Sequence, residues 1–526
     1  MKKYIAVILS VLLVGGIFSA CGKTESETEG VQIKLSDSKV TVDGAEATDN
    51  IENDVYVAND IVYYEDGHDF TYGEGTEADA HTKDEASAHT VVHITKSGNY
   101  TLSGKMTKGQ IAIDLGEEAK DNPDAVVNLT LSDIDITCEV APAIIFYNVY
   151  ECSDTTEENA SATVDTSKAG ANVIIADGTE NTVNGSYVAK IYKPDSVVLN
   201  SEKTEVEDAD KLHKYDGAFY SRMSMNINGG ERGDGRLNIN AENEGLDSEM
   251  HLTINSGNII IESGNDGINT NEDNISVTTI NGGALNILVN GKTGEGDGID
   301  SNGWLVINGG TLLAQGCATS GDAGIDSDKG IHLNGGTVFA TGNMLDRISE
   351  SKQTFAVFSF DQKQDKGVYS LKNSENTILF ENNIENSFTY LVVSCKELAA
   401  GEYTLWNGTV QLEGIKSQGS GGGMMQAPPQ GGTVPEGMEP PEKPEGMTLP
   451  EGMTIPEGME RPENIPPRGE LPDGETPPQK PDGEFPQMPD GGQRPDRNPQ
   501  GAVGEKSSIF TITDGENYFN SVSAAE

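Results

Sequence analysis

The 526-residue chain has few basic residues, two tryptophans and five cysteines. Lysine and arginine number 35 against 85 aspartates and glutamates, which gives a formal net charge of −50. This deficit argues against nucleic acid as a partner, because binding to nucleic acid depends on cation–phosphate contacts. It also argues against direct binding of a polyanionic sugar unless a cation bridges the charges. Outside the cell, acidic surfaces commonly bind calcium, and acidity also serves solubility.

The scarce cysteines include no Cys-x-x-Cys pair, so zinc and thiol-redox functions are not indicated. Cys138 and Cys152 flank a strand-like run, and they are either a disulfide pair or buried free thiols. Long apolar runs are also absent beyond the N-terminus, so the sequence predicts no transmembrane helix.

The N-terminus reads as a lipoprotein signal peptide over residues 1–20. Lys2 and Lys3 precede an apolar stretch over residues 5–18, and the sequence Phe-Ser-Ala then leads to Cys21. Small residues before a cysteine resemble a lipobox, where the new N-terminal cysteine receives the lipid. We predict lipidation at Cys21 and a location on the extracellular face of the bacterial cell membrane. The alternative is an ordinary secretory signal with an incidental cysteine.

An internal repeat is the strongest pattern in the chain. Successive copies are 26 or 27 residues apart, which is too short for a propeller blade, and a strand-rich unit of this size must stack on its neighbours to bury its apolar face. The sequence therefore predicts an all-β fold, a right-handed parallel β-helix over residues 56–345. Copies of Ile-Asn-Gly-Gly or close variants begin at Ile227, Ile254, Ile280, Ile307 and Leu333.

The asparagine of each copy forms a column with its equivalents in the stack. Asparagine tolerates turn conformations, and its amide can bond to the same residue one coil away. We interpret this column as a structural ladder and not as ligand-binding residues. It comprises Asn228, Asn255, Asn281, Asn308 and Asn334.

A second motif of the Asp-Gly-Ile-Asp type keeps register with the first. It places carboxylates in columns about 4.8 Å apart along the stack, where they repel unless protons, basic partners or metal neutralise them. Calcium suits such columns because it takes six to eight oxygen ligands. Solvated turn residues are the alternative. The residues predicted to hold calcium between coils are Asp266, Asn269, Asp297, Asp300, Asp322 and Asp326.

Other segments lack the repeat. Residues 21–55 are polar and acidic and predict a tether, and residues 346–415 predict a small β-cap on the end of the β-helix. Residues 416–504 are rich in proline, glycine, methionine and glutamate, a composition typical of disorder. Residues 505–526 then predict a C-terminal strand that returns to the folded body.

The order of several segments resembles a known family. Leu102-Ser103-Gly104-Lys105, the run Pro-Ala-Ile from residue 142 and the run over residues 176–183 precede the repeated turns. This order is similar to that of the calcium-containing β-helix carbohydrate-binding domain family of cellulolytic clostridia. The resemblance implies a pectate-lyase-like fold that binds cellulose or pectin-like polymers with bound calcium.

Three functions remain open on this basis. The first is non-catalytic binding of plant-type polysaccharide with calcium support, for which the outward-facing Trp304 is the candidate sugar platform. The second is a calcium-dependent polysaccharide lyase, in which Lys292 or Lys329 near the acidic turns would be the base. The third is a structural stalk or adhesin. We favour the first and expect no catalytic residue.

Overall fold

Alternating apolar and polar residues produce short strands throughout the part of the chain that the structure describes. The structure is a computed structural model, and it describes residues 30–153, 156–417 and 505–525. The predicted signal peptide, Cys21 and nearly all of the predicted disordered segment lie outside these residues. Within them the only α-helix is α1 (Lys83–Ser87), beside the short 3-10 helices Glu117–Asp121, Glu157–Asn159 and Pro194–Ser196. The all-β class predicted from the sequence is therefore confirmed.

The first strands precede the regular repeats and vary in length. They are β1 (Val31–Leu35), β2 (Thr41–Val42), β3 (Ala45–Glu46), β4 (Val55–Ala58), β5 (Thr90–Ile94), β6 (Gly98–Met106), β7 (Gly109–Asp114), β8 (Val127–Cys138), β9 (Ile144–Asn148), β10 (Ala171–Ile175), β11 (Glu180–Gly185), β12 (Val198–Leu199) and β13 (Val206–Asp208).

The strands of the repeat region are more uniform in length. They are β14 (Gly217–Ser221), β15 (Met225–Gly229), β16 (Arg236–Ala241), β17 (Glu244–Ser248), β18 (Leu252–Ile254), β19 (Asn258–Ser263), β20 (Ile268–Thr270), β21 (Val277–Ile280), β22 (Ala284–Val289), β23 (Ile299–Ser301), β24 (Trp304–Ile307), β25 (Thr311–Gln315), β26 (Gly330–Leu333), β27 (Thr337–Gly342) and β28 (Ile348–Ser351).

Apart from β2, β3, β4, β12 and β13, which pair antiparallel, these strands form three parallel ladders. The first ladder joins β1, β6, β8, β10, β15, β18, β21, β24, β26 and β28 in that order. The second joins the ends of β6 and β8 to β11, β16, β19, β22, β25 and β27. The third joins β5, β7, β9, β14, β17, β20 and β23. From β14 to β25 the chain visits the third, first and second ladders in turn.

The aliphatic residues of the first motif pair with one another along the first ladder. Ile227 pairs with Ile254, and the register continues through Ile280 and Ile307 to Leu333. All five side chains lie in the main apolar core. The sequence repeat therefore coincides with the repeat of strand pairing along the first ladder.

The N-terminal part corrects one prediction. Residues 21–55 were predicted to form a tether, but β1 lies within them and pairs in parallel with β6. Ile33 and Leu35 alternate with polar residues, and both are buried in the main core. This two-residue period extends the first ladder into the acidic segment.

The C-terminal strands form a second apolar core. They are β29 (Phe355–Gln364), β30 (Gly367–Asn373), β31 (Ile378–Ile384), β32 (Phe388–Ser394), β33 (Gly401–Asn407), β34 (Val410–Lys416), β35 (Phe510–Ile512) and β36 (Glu516–Ala524).

Pairing among these strands is mostly antiparallel. β32 pairs antiparallel with β27, the last strand of the second ladder, and with β29. β36 pairs with β29 and β34, and β35 pairs with β33, so residues 505–525 complete this sheet. The Phe358 ring stacks on that of Phe519 with centroids 5.2 Å apart.

The state of the cysteines and the length of the helices bear on two expectations from the sequence. Cys138, Cys152, Cys317 and Cys395 are all free thiols, so Cys138 and Cys152 do not form the disulfide that their spacing left open. Among the residues that the structure describes, no helix has the length and apolar character needed to cross a membrane.

Candidate functional site

The acidic motif lies on the third ladder. Leu246 pairs with Ile268 and Ile268 with Ile299, which places Asp247, Asn269 and Asp300 at successive positions of one column. The next coil follows by a hydrogen bond of 2.7 Å from the backbone N–H of Asp326 to the carbonyl oxygen of Ile299. The apolar anchors inside the core therefore fix the spacing of the polar residues beside them.

Three predicted ligands come together at one point. Carboxylate oxygens of Asp297, Asp300 and Asp326 all lie within 4.8 Å of one another, and each side chain is half-buried. Within the part of the chain that the structure describes, no basic side chain forms an ion pair with any of the three. This group, the upper acidic cluster, concentrates negative charge without a protein cation to offset it.

Burial and mutual repulsion disfavour ionisation in the upper acidic cluster. Burial first, and then the charges of Asp326 and Asp266, raise the pKa of Asp297 to about 9. Burial and neighbouring carboxylates likewise raise the pKa of Asp300 and that of Asp326 to about 7. At neutral pH the cluster must keep protons or gain a cation.

The other predicted ligands take part in hydrogen bonds between coils. Asp266 Oδ1 accepts from the backbone N–H of Asp297 at 2.6 Å, and Asp322 Oδ2 accepts from the backbone N–H of Gly296 at 2.6 Å. Asp322 also accepts from the hydroxyl of Ser320. Each keeps a second oxygen that these bonds do not use, so a structural role and a ligand role are compatible.

Asn269 belongs to a different group, which we call the lower acidic cluster. Its Nδ2 donates to Glu244 Oε1 at 3.1 Å and to Asn271 Oδ1 at 3.0 Å, and Asn271 Nδ2 donates to Asp247 Oδ1 at 2.6 Å. Glu244 is 6% exposed, Asp247 0% and Asn269 6%. The lower acidic cluster is thus fully inside the protein.

Three oxygens of the lower acidic cluster have no hydrogen-bond partner among the described residues. They are Glu244 Oε2, Asp247 Oδ2 and Asn269 Oδ1. Burial raises the pKa of Glu244 and of Asp247 well above the usual range, and neighbouring carboxylates raise both further. Unpartnered buried oxygens are costly, and a cation with oxygen ligands would satisfy them.

Glu244 and Asp247 are absent from the predicted ligand set, although both stand in the acidic columns of the second motif. The register of the second motif could have identified them, since Asp247 occupies the same position as Asn269 and Asp300. The oxygen-only donor sets of both clusters fit a hard divalent cation such as calcium.

The predicted sugar platform lies elsewhere. Trp304 begins β24 and is half-buried between Val277 and Gly330 of the neighbouring strands. Leu305 and Ile307 belong to the main core, whereas Trp304 and Val306 do not. Trp304 therefore faces away from the core.

The candidate lyase bases are exposed. Neither Lys292 nor Lys329 forms an ion pair among the residues that the structure describes. Cys21, the predicted lipidation site, lies outside them.

Comparison with known proteins gives three similarities. A family model described as "Carbohydrate-binding domain-containing protein" matches residues 88–169 and 148–387, more than half of the chain. A curated protein of the same description from Acetivibrio thermocellus is 29% identical over 174 residues, which are 33% of this chain and 45% of the relative. The chain thus spans under half of that relative's length.

A solved structure is also similar in part. It is described as the polysaccharide lyase-like protein from C. thermocellum in a gadolinium derivative. It is 19% identical, covers 58% of this chain and 92% of its own, and has a TM-score of 0.32.

Proposed function

The chain belongs to the family of carbohydrate-binding domain-containing proteins, and on this premise we propose that it binds polysaccharide without cleaving it, at the outer surface of a bacterial cell. The observation that carries the proposal is the family match over residues 88–387. The polymers proposed are cellulose or pectin-like chains, following the resemblance in the sequence motifs.

We propose that the repeat region is a right-handed parallel β-helix. The regular passage of the chain through three parallel ladders supports this, as does the in-register pairing of Ile227 with Ile254 and the later copies. A stack of this kind offers long, straight faces, which suit a linear polymer.

Calcium is part of the proposal. The upper acidic cluster would hold one ion through Asp297, Asp300 and Asp326, and the lower acidic cluster would hold another through Glu244, Asp247 and Asn269. Bound calcium would supply positive charge between coils, where the carboxylates otherwise repel. The protein's own residues fix the oxygens in place through backbone hydrogen bonds such as that accepted by Asp266.

Attachment to the membrane through a lipid on Cys21 completes the proposal. The small residues before Cys21 and the short apolar stretch support it. Metabolic labelling with a fatty-acid analogue should mark the wild-type protein and leave Cys21→Ser unmarked, whereas equal labelling of both would exclude this anchor.

One assay separates the candidate functions. Purified protein is incubated with polygalacturonate and calcium while ultraviolet absorbance reports any unsaturated product, and its retention on insoluble glycans is measured in parallel. Retention without product is expected for the proposed binder. Product formation would instead identify a calcium-dependent lyase. If neither retention nor product is observed, a structural stalk or adhesin is the remaining candidate.

A further inference from the structure

A groove of about 620 Å³ lies on the outer face of the first ladder. Its floor consists of outward-facing residues from successive strands, namely Asn172, Asn226, Thr253, Thr279 and Val306. The first four asparagines of the asparagine ladder each lie two residues after a floor residue in the chain, and together the five asparagines form one side of the groove. Residues 162–167 form a wall, and Lys352 also lines the groove. We call this feature the amide groove.

The wall is anchored to the floor at one end of the amide groove. The hydroxyl of Thr166 lies 2.7 Å from Asn226 Oδ1 and 2.7 Å from Thr253 Oγ1, and Asn226 Nδ2 donates to the carbonyl oxygen of Thr166 at 2.7 Å. Asn226 and Thr253 are buried by this contact. One coil further on, the hydroxyl of Thr279 has no hydrogen-bond partner among the described residues. The floor there is free to contact a ligand.

The asparagine ladder, for which the sequence predicts a structural role only, also provides repeated hydrogen-bonding groups along one side of the amide groove. Each amide nitrogen donates to the amide oxygen one coil earlier, at 2.9–3.0 Å, from Asn255 through Asn334. An asparagine amide has two N–H groups and two acceptor lone pairs, so this chain of bonds leaves one donor on each of these amides. Asn255, Asn281 and Asn308 are exposed.

The spacing and charge of the amide groove indicate what it fits. Adjacent coils are ~4.8 Å apart, which is roughly the length of one sugar unit in an extended polymer. The five residues of the asparagine ladder enclose four such intervals, so the groove has room for about four units. Asp165 and Lys352 are its only charged lining residues among those that the structure describes. A neutral, hydroxyl-rich chain matches these amides and hydroxyls better than a polyuronate, which the net charge of −50 would repel.

We propose that the amide groove, and not Trp304, is the main sugar-binding site, and that it holds about four units of a neutral, extended polysaccharide such as a β-1,4-linked glucan. This inference rests on the proposed carbohydrate binding. No aromatic side chain lines the groove among the described residues, so hydrogen bonds to successive units carry the affinity. Affinity should therefore grow with each added unit and level off at about four.

The test uses the full chain and soluble β-1,4-glucan oligomers of two to six units, with binding measured by calorimetry. The double variant N281A/N308A should bind roughly tenfold more weakly or worse. Asn240→Ala is the matched control, because Asn240 Nδ2 makes the same kind of inter-coil bond, to Asn184 Oδ1 at 2.8 Å, on the second ladder. Its affinity should equal that of the wild type. Circular dichroism checks the folding of every variant.

A second variant leaves the ladder intact. Thr279→Val removes one hydroxyl with little change in volume, and it should weaken binding about fivefold.

If the wild type binds glucan but N281A/N308A and Thr279→Val bind equally well, the amide groove is not the site, although the proposed function stands. If Trp304→Ala alone abolishes binding, Trp304 is the site. If the wild type binds neither soluble nor insoluble glycan, the proposed function itself fails.

Discussion

At the scale of single residues, the protein keeps an unusual amount of acidity away from water. Asp247 is 0% exposed, and among the described residues no basic side chain forms an ion pair with a carboxylate of either acidic cluster. Buried carboxylates in such numbers destabilise a fold unless a proton or a cation accompanies them.

Calcium should stabilise the full chain, and loss of one ligand should reduce that gain. An ion that binds only the folded state contributes ~2.7 kcal/mol at about a hundredfold excess over Kd. We expect millimolar calcium to raise the melting temperature and Asp300→Ala to lose much of the increase, as measured by calorimetry. Glu375→Ala, in the exposed turn between β30 and β31, is the control. Equal shifts with magnesium and calcium would count against the calcium site.

His213 should make the fold sensitive to acid. The side chain is 7% exposed, neither ring nitrogen has a partner among the described residues, and burial lowers its pKa to about 4. In the unfolded chain histidine titrates near 6.5. Between these pH values the unfolded state binds more protons, so His213 reduces stability as the pH falls from about 6.5 to about 4.

The measurement compares urea unfolding at pH 7.5 and pH 4.5. His213→Phe should lose about 2–3 kcal/mol less stability over this range than the wild type. His68→Gln, at an exposed position, should behave as the wild type. The difference between proteins is the relevant quantity, because the buried carboxyls with raised pKa values act in the opposite direction. Identical losses in His213→Phe and wild type would show that His213 does not carry the effect.

Register allowed part of the site to be predicted from the sequence. The aliphatic anchors Ile268 and Ile299 place Asp300 beside Asn269, and the structure has this pairing. The burial of the lower acidic cluster could not be predicted. One charge that acts on Glu244 is that of Asp216, which lies just before β14 and one residue out of register with Glu244.

At the scale of strands and turns, the motif glycines explain why the repeat is so regular. Gly257, Gly283, Gly310 and Gly336 connect the first and second ladders with φ between 82° and 113°. Only glycine adopts this conformation without steric cost. The second ladder itself has no such sequence motif, so it could not be predicted from the repeats.

A substitution at one of these turns tests this explanation. A Cβ at Gly310 would lie 2.8 Å from the carbonyl oxygen of Gly283, at φ +82°. We expect Gly310→Ala to cost about 2–4 kcal/mol of unfolding free energy, from the strained backbone and the contact together. Gly321→Ala is the control, because a Cβ there meets nothing within 4 Å. Similar midpoints in chemical unfolding for the two variants would refute the explanation.

At the scale of the whole chain, the C-terminal residues complete a sheet that begins more than a hundred residues earlier. Phe510, Phe519 and Val522 are buried in the second core. Gly414 and Ser507 exchange backbone hydrogen bonds of 3.0 and 2.9 Å, so the chain on either side of residues 418–504 meets at one place. The returning strand could be predicted from its composition, but its partners could not.

Removing residues 418–504 should therefore leave the fold intact, whereas ending the chain at residue 417 should not. A variant that joins residues 417 and 505 by a short Gly-Ser linker should unfold within a few degrees of the wild type. The truncated chain loses β35 and β36, and we expect a loss of more than about 5 kcal/mol, given the cost of deleting even one buried phenylalanine. Calorimetry and limited proteolysis measure both, and equal stability of the two variants would contradict this account.

The matched spacing of the coils also governs how such a gene can change length. A duplication or loss of 26 or 27 codons adds or removes one coil and leaves every later anchor in register with its neighbours. A shorter insertion survives only where it bulges between ladders, as the four extra residues between Ile268 and Ile280 do. Length variation among descendants of this gene should therefore occur in whole coils, and each coil gained would lengthen the amide groove by one amide.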